Sequence, residues 1–333
     1  MTNQLFDKKN VIVAGGAGFI GSHLCEELVR TSRVICVDNL ITGDIENINH
    51  LLKIPDFKFL RHDISDPLDL DHYPELEPFR VKFQGIQEIY NLASPASPND
   101  YSKYPLETLI SNAYGTKNLL YLVLKYKAKM VQVSSSAVYG SPYYEDPYFR
   151  EDYWGYVDQL SPRGIYAEAK RYAESLIAAF YRSYKLDMKI ARVFNVYGPR
   201  MRYTDHRLIP DLIRQSLEGR TIRVESGADD VTSLCYISDI VDGLIKIMNH
   251  HFTGPINLGN PDKVIVREAA EMIRKLTNSS SDILYNEGEA IRQGLPDITL
   301  VREKIGWFPL VKMEDGLKKT VDHMKAMKGV LRL

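Results

Sequence analysis

The chain has 333 residues, 44% of them hydrophobic and 26% charged, with a formal net charge of −1. That length suits one large α/β domain plus a smaller one, and the charge balance gives no global field to draw in nucleic acid or an anionic membrane. The three cysteines, Cys25, Cys36 and Cys235, read as buried free thiols rather than a disulfide or metal set; no apolar run approaches a membrane span and Met1 to Asn10 lacks a signal-peptide core, so a soluble cytoplasmic protein without a metal site is expected.

In chain order, Val11–Ala14 reads as a short buried strand. It runs into a glycine turn and a helical pattern over Phe19–Arg30. Gly15, Gly18 and Gly21 are spaced so that bare backbone can approach a pyrophosphate at a helix N-terminus. The next apolar strand, Val34–Val37, ends in Asp38, about 20 residues after the glycines. An acid there suits the ribose hydroxyls of NAD and repels the extra phosphate of NADP.

Further strands are expected at Phe57–Arg61, Glu88–Leu92, Met130–Ser134 and Lys189–Arg192. Helical patterns at Pro105–Tyr126 and Tyr166–Tyr184 lie between them. This alternation predicts an α/β doubly wound parallel sheet of Rossmann type. In such sheets ligands sit beyond the carboxyl ends of the strands. The cofactor residues expected there are Gly15, Gly18, Phe19, Ile20, Gly21, Asp38, Asn39, Thr42, Gly43, Asp63, Ile64, Leu92 and Ala93, joined by Tyr166 and Lys170. Pro95, Ser136, Arg163, Asn195 and Arg200 are the candidates for substrate contact.

The second half is more broken. Leu208–Leu217, Val241–Met248, Val266–Leu276 and Glu314–Met327 pattern as helices, and Pro255–Leu258 as a strand. Glu225–Asp230 and Thr277–Asp282 read as loops. The division expected is a dinucleotide-binding domain of residues 1–194 and 234–256 and a smaller, discontinuous substrate region of residues 195–233 and 257–333.

Tyr166 and Lys170 are four apart on a helix, so both project from one face. A phenol titrating near pH 10 is a poor base at neutral pH, but a neighbouring ammonium favours the phenolate. Tyr166 is then placed to accept a hydroxyl proton while hydride leaves the same carbon. Ser134, Ser135 and Ser136 follow an apolar strand, and Ser135 is the candidate to hold the reacting hydroxyl. Ser135, Tyr166 and Lys170 form the expected catalytic set. His206 reads as a loop histidine and His250-His251 as the end of a helix rather than a metal pair. The aromatic cluster Tyr139, Tyr143, Tyr144, Tyr148, Phe149, Tyr153, Trp154 and Tyr156 fits either a loop over the substrate or plain packing.

Together these elements resemble the extended short-chain dehydrogenase/reductase (NAD-dependent epimerase/dehydratase) family, which acts on nucleotide sugars. The resemblance covers nearly the whole chain. Asn91–Pro98, Glu151–Gly155, Ser161–Arg163, Arg192–Asn195, Gly198–Met201, Gly254–Pro261 and Gly306-Trp307 narrow it toward the UDP-glucuronate decarboxylase (UDP-xylose synthase) subgroup. It implies NAD held through the cycle, a nucleotide-sugar substrate, and a homodimer joined through the helices around Pro105–Tyr126 and Tyr166–Tyr184. The chain also departs from that subgroup. Ala137 stands where a glutamate is expected, Thr232 and Gly294 where arginines are, and Glu225 where a tyrosine is. Arg223 and Arg292 are the nearby cations available to substitute.

The family's shared opening step oxidises a sugar carbon, usually C4, to a ketone. Relatives that then eliminate water carry an Asp-Glu pair at the positions of Ser136 and Ala137, which disfavours dehydration here. Turning the ketone over needs no extra acid. The sequence therefore points first to a 4-epimerase or oxidoreductase on a UDP-hexuronate-like sugar. Decarboxylation of UDP-glucuronate is second, and a catalytically quiet NAD-bound sensor is the alternative of another class.

Overall fold

A computed structural model describes residues 8–141, 147–285 and 294–331. Seven strands form one sheet: β1 (Asn10–Ala14), β2 (Arg33–Asp38), β3 (Phe57–Arg61), β4 (Glu88–Asn91), β5 (Lys129–Ser135), β6 (Met188–Val193) and β7 (Pro255–Leu258). Their spatial order is β7-β6-β5-β4-β1-β2-β3, and every pairing is parallel. The strand order reverses between β1 and β4, which opens a crevice at their carboxyl ends. The expected doubly wound α/β fold is the one observed.

Besides a single α-helical turn at Val81–Gln84, the helices are α1 (Phe19–Leu28), α2 (Pro98–Lys103), α3 (Pro105–Ile110), α4 (Thr116–Tyr126), α5 (Pro162–Tyr184), α6 (Leu208–Leu217), α7 (Ile237–Asn249), α8 (Val266–Thr277), α9 (Thr299–Ile305) and α10 (Met313–Leu331). Residue alternation along β1 shows how the sheet is covered. Val11 and Val13 pack with Leu24 of α1 and Leu244 of α7. Ile12 and Ala14 face the other way, onto Leu119 and Val123 of α4 and Ile177 of α5. All five residues of β1 are buried, as expected of a central strand covered on both faces.

Two helices differ from the sequence expectation for local reasons. Helix α5 starts at Pro162 rather than Tyr166, because Ser161 Oγ accepts the Gly164 N–H at 3.0 Å and proline suits the first turn. The stretch expected as one helix over Pro105–Tyr126 contains a π turn at Ser111–Gly115 between α3 and α4. Helix α2 is not legible as periodicity. It is six residues long, set off by the Ser97 cap and Pro98.

The smaller region carries α6, α8, α9 and α10 together with two-stranded pairings, among them Ile222–Val224 with Ile283–Tyr285 and Val231–Thr232 with Val264–Ile265. Its Ile213, Val224, Ala270, Trp307 and Leu317 join the same buried cluster as Val11 and Val13. Strand β7 pairs with β6 through Leu258, so the sheet runs two residues past the boundary expected at 256. All three cysteines are buried free thiols. Among the described residues, no helix is long and apolar enough to cross a membrane and no group of three His, Cys, Asp or Glu is placed to hold a metal.

Candidate active site

A cavity of about 880 Å³ lies beyond the carboxyl ends of β1, β2, β4, β5 and β6. Every residue expected from sequence to bind cofactor, bind substrate or act in catalysis lines it.

At one end, Gly15 follows β1 with φ +77°, and a Cβ there would come within 2.8 Å of the Ala93 backbone nitrogen. Only glycine admits both the positive φ and that close approach. Helix α1 opens at Gly18 without a side-chain cap and without an acid in its first turn. Its first N–H groups are therefore left for an anion. Asp38 ends β2. One carboxylate oxygen accepts the Ala17 N–H at 3.0 Å and the other accepts the Leu40 N–H at 2.9 Å. A carboxylate has roughly four acceptor directions, so two remain for ribose hydroxyls. Burial pushes its carboxyl up from the ordinary value, against those two hydrogen bonds.

Asp63 is braced by Asn39 Nδ2 at 2.8 Å and by the Ser65 N–H at 2.8 Å. Burial raises the Asp63 carboxyl, but these hydrogen bonds outweigh it and the net shift is downward. A glycine cradle, an uncapped helix start and a diol-binding acid fit a dinucleotide of NAD type.

At the other end, Tyr166 and Lys170 leave α5 on one face, as their spacing requires, and both are buried. The Tyr166 ring stacks on Tyr101 of α2 at 5.1 Å and 13°. Ser135 stands beside its hydroxyl and favours the ionised phenol; Ser135 Oγ accepts the Ala137 N–H at 3.1 Å. Lys170 Nζ donates to the Val133 carbonyl at 3.1 Å and lies 5.8 Å from the centroid of the Tyr166 ring. Burial lowers the Lys170 ammonium from 10.5 to about 8, against an upward pull from Glu174. Burial raises the Tyr166 phenol, and the Ser135 hydrogen bond and the Arg207 guanidinium pull it back.

Arg207 is one of the residues the sequence reading missed. It pairs with Asp205 through two hydrogen bonds, 2.8 and 2.7 Å, and lines the same cavity. Arg202 bonds Asp100, on the short helix that carries Tyr101. The signal in the sequence is the charged segment Arg202–Arg207, which also holds His206. That histidine is half exposed and sits 3.6 Å from Asp211.

Behind Lys170, one turn along α5, Glu174 accepts Ser134 Oγ at 2.6 Å and a forked pair from Arg192 at 3.0 and 2.7 Å. Arg192 also donates to the Tyr139 hydroxyl at 3.0 Å. This network ties α5 to β5 and β6 and fixes the lysine's height over the crevice.

The departures from the expected pattern have physical counterparts. Ala137 is buried against Tyr101, Tyr166 and Ala167. Thr232 Oγ1 accepts Asn195 Nδ2 at 3.1 Å. Arg200 is turned toward Glu26 of α1, with His50 3.4 Å away. Arg163 and Arg223 are exposed on the lining, without a side-chain hydrogen bond or ion pair among the described residues. Arg292, Tyr143 and Tyr144 lie outside the described residues.

Of the aromatic cluster, Tyr139, Phe149 and Tyr153 stack on one another as packing. Trp154 is 91% exposed. His250 caps the end of α7, its Nδ1 accepting the Phe252 N–H at 3.0 Å.

A crevice lined by the glycine turn and Asp38 at one end and by Ser135, Tyr166 and Lys170 at the other fits an NAD-dependent enzyme of Rossmann fold. The chain belongs to the NAD dependent epimerase/dehydratase family, which matches residues 11–259. It is similar to UDP-glucuronic acid decarboxylase 5 of Arabidopsis thaliana, 37% identical over 336 residues that cover 99% of this chain and 94% of that protein. Among solved structures it is similar to UDP-glucuronic acid 4-epimerase from Bacillus cereus in complex with NAD: TM-score 0.82, 26% identity, 96% of this chain and 98% of that one. UDP-N-acetylglucosamine 4-epimerase from Methanobrevibacter ruminantium superposes with TM-score 0.84, 27% identity, 97% of this chain and 100% of that one.

Proposed function

We propose that this enzyme changes the configuration or oxidation state of a UDP-hexuronate-like sugar at C4, through a 4-keto sugar. The observation that carries this reading is the meeting of Ser135, Tyr166 and Lys170 at one end of a cavity whose other end holds the glycine turn, Asp38 and Asp63. NAD, which the Gly15 turn, Asp38 and Lys170 would hold, would supply the hydride acceptor. Tyr166 takes the C4 hydroxyl proton, and Ser135 holds that hydroxyl in line. Lys170 would hold the nicotinamide ribose, and its ammonium near the Tyr166 ring would favour the phenolate. Ser136 and Ala137 place no ionisable group beside the tyrosine, so the ketone meets no acid–base pair for elimination. Arg163 and Arg223 are the candidates for the substrate's phosphate or carboxylate.

Decarboxylation is the second reading, favoured by the similarity to UDP-glucuronic acid decarboxylase 5. A 4-ketone makes a C6 carboxylate a labile β-keto acid. Against it, Ala137 and Gly294 offer no acid or cation where that subgroup is expected to have them. Incubation with UDP-glucuronate and NMR of the product separates the two. A 4-epimeric UDP-uronate or a stable 4-keto sugar supports the first reading. Carbon dioxide with a UDP-pentose establishes the second, and no conversion of UDP-glucuronate discards both for this sugar.

We further propose a homodimer through α3, α4 and α5. The chain exposes Leu106, Leu109, Ile110, Tyr114 and Tyr121 on the first stretch and Tyr172 on α5, a concentration of apolar surface that monomers rarely leave open. Light scattering should give twice the chain mass, and the pair Leu106→Glu with Tyr172→Glu should halve it. A wild type that already runs as a monomer removes this assignment.

A further inference from the structure

Tyr101 is the one large side chain in the buried apolar cluster around Tyr166. The other members are Ala137 and Ala167, with Val157 packed at the edge. Each alanine offers a single methyl group, so the flat surface against the Tyr166 ring comes from Tyr101. The two rings lie 5.1 Å apart between centroids and 13° from parallel, the offset stack that aromatic pairs favour. Both are buried, and both line the cavity.

Tyr101 sits on α2, which at six residues is too short to hold its own place in water. Of those residues Asp100 and Tyr101 are the buried ones. Two polar side-chain contacts fasten the helix. Ser97 Oγ accepts the Asp100 N–H at 3.2 Å and caps the first turn. The Asp100 carboxylate, itself buried, accepts the Arg202 guanidinium. Arg202 belongs to the segment that lines the cavity from the far side of the chain. A line of contacts therefore runs from Arg202 through Asp100 and Tyr101 to Tyr166.

We propose that Tyr101 is a positioning residue that fixes where the Tyr166 phenol stands, and that the Asp100–Arg202 pair holds Tyr101 in place. The proposal rests on the reading of Tyr166 as the proton acceptor. Proton transfer needs its two heavy atoms within hydrogen-bond reach, and a displacement of about 1 Å can cost about 10²-fold in rate. A phenol oxygen lies at the far end of a ring that swings about two side-chain bonds. A second ring laid along its face blocks that swing. Tyr101 acts through the Tyr166 ring, and its own hydroxyl is not needed for this role.

The test pairs carbon NMR with kinetics on NAD-loaded protein labelled at the tyrosine Cζ atoms, the Tyr166 signal being the one lost in Tyr166→Phe. Tyr101→Ala should move that signal and lower the pH at which it titrates, because water then reaches a ring whose burial holds the phenol up. With UDP-glucuronate the same variant should lose about 10–100-fold in kcat, with KM within about threefold of wild type. A phenol that ionises more readily yet works more slowly has been displaced; a changed electrostatic bias alone would not slow it. Tyr101→Phe keeps the stacked ring and should hold kcat within about threefold of wild type. Arg202→Met should move the Tyr166 signal as well and lower kcat about tenfold, with no further loss in the Tyr101→Ala background; it carries the test should Tyr101→Ala fail to fold. An unmoved signal with unchanged titration in Tyr101→Ala overturns the inference, and so does unchanged kcat. Tyr101→Phe as slow as Tyr101→Ala overturns it too, by assigning the effect to the hydroxyl. A further loss from Arg202→Met in the Tyr101→Ala background shows that Arg202 acts on the ligand directly and overturns its part. If wild type leaves UDP-glucuronate unconverted, the proposed function fails for this sugar, and the Tyr166 signal still decides the inference.

Discussion

Tyr166→Phe is expected to lower turnover by about 10²–10⁴-fold, the usual worth of a positioned acid–base group, with NAD affinity unchanged. The substitution removes one oxygen and little else. The Tyr166 ring keeps its stack on Tyr101, and Ser135 keeps the Ala137 N–H, so the pocket loses a base without losing its shape. The loss should fall on kcat with KM nearly constant, because the proton moves only in the reacting complex. Calorimetry with NAD and steady-state rates with UDP-glucuronate read the two halves. Turnover within tenfold of wild type would place the base elsewhere and remove the phenol from the mechanism.

The residues behind that expectation were legible in the sequence for a specific reason. A pyrophosphate needs bare backbone, a ribose diol needs a carboxylate, and a helix brings residues four apart to one face. Each requirement leaves a local mark: Gly15 to Gly21, Asp38, and the Tyr166–Lys170 spacing. The sheet was legible on similar grounds, since central strands covered on both faces read as unbroken apolar runs, as in β1. What the sequence hid was whatever depends on two distant segments meeting. Arg207 lies 41 positions after Tyr166 and reaches its phenol only through the fold, in which Arg202 of the same segment bonds Asp100 of α2. The Glu174–Arg192 fork joins a helix to a neighbouring strand.

Lys170→Met is expected to make the protein more stable at neutral pH and much less active. Lysine titrates near 10.5 in the unfolded chain and near 8 in the fold, where burial disfavours the ammonium. Between those values the unfolded chain holds more protons, so stability rises with pH from about 8 to 10.5. Below pH 8 the buried charge costs on the order of 3 kcal/mol. Methionine removes that cost and forfeits the hydrogen bond to the Val133 carbonyl, about 1 kcal/mol. A net gain of about 2 kcal/mol should raise Tm by several degrees, and the variant should lose the rise of stability above pH 8. Activity should move oppositely. In wild type, kcat should decline above about pH 8 as the ammonium beside Tyr166 loses its charge, whereas Lys170→Met should show a low rate without that limb. Differential scanning calorimetry across pH 7–10 alongside the rate profile would decide the matter. A variant that melts earlier than wild type at pH 7 would mean the buried ammonium is sustained by its surroundings rather than tolerated for chemistry.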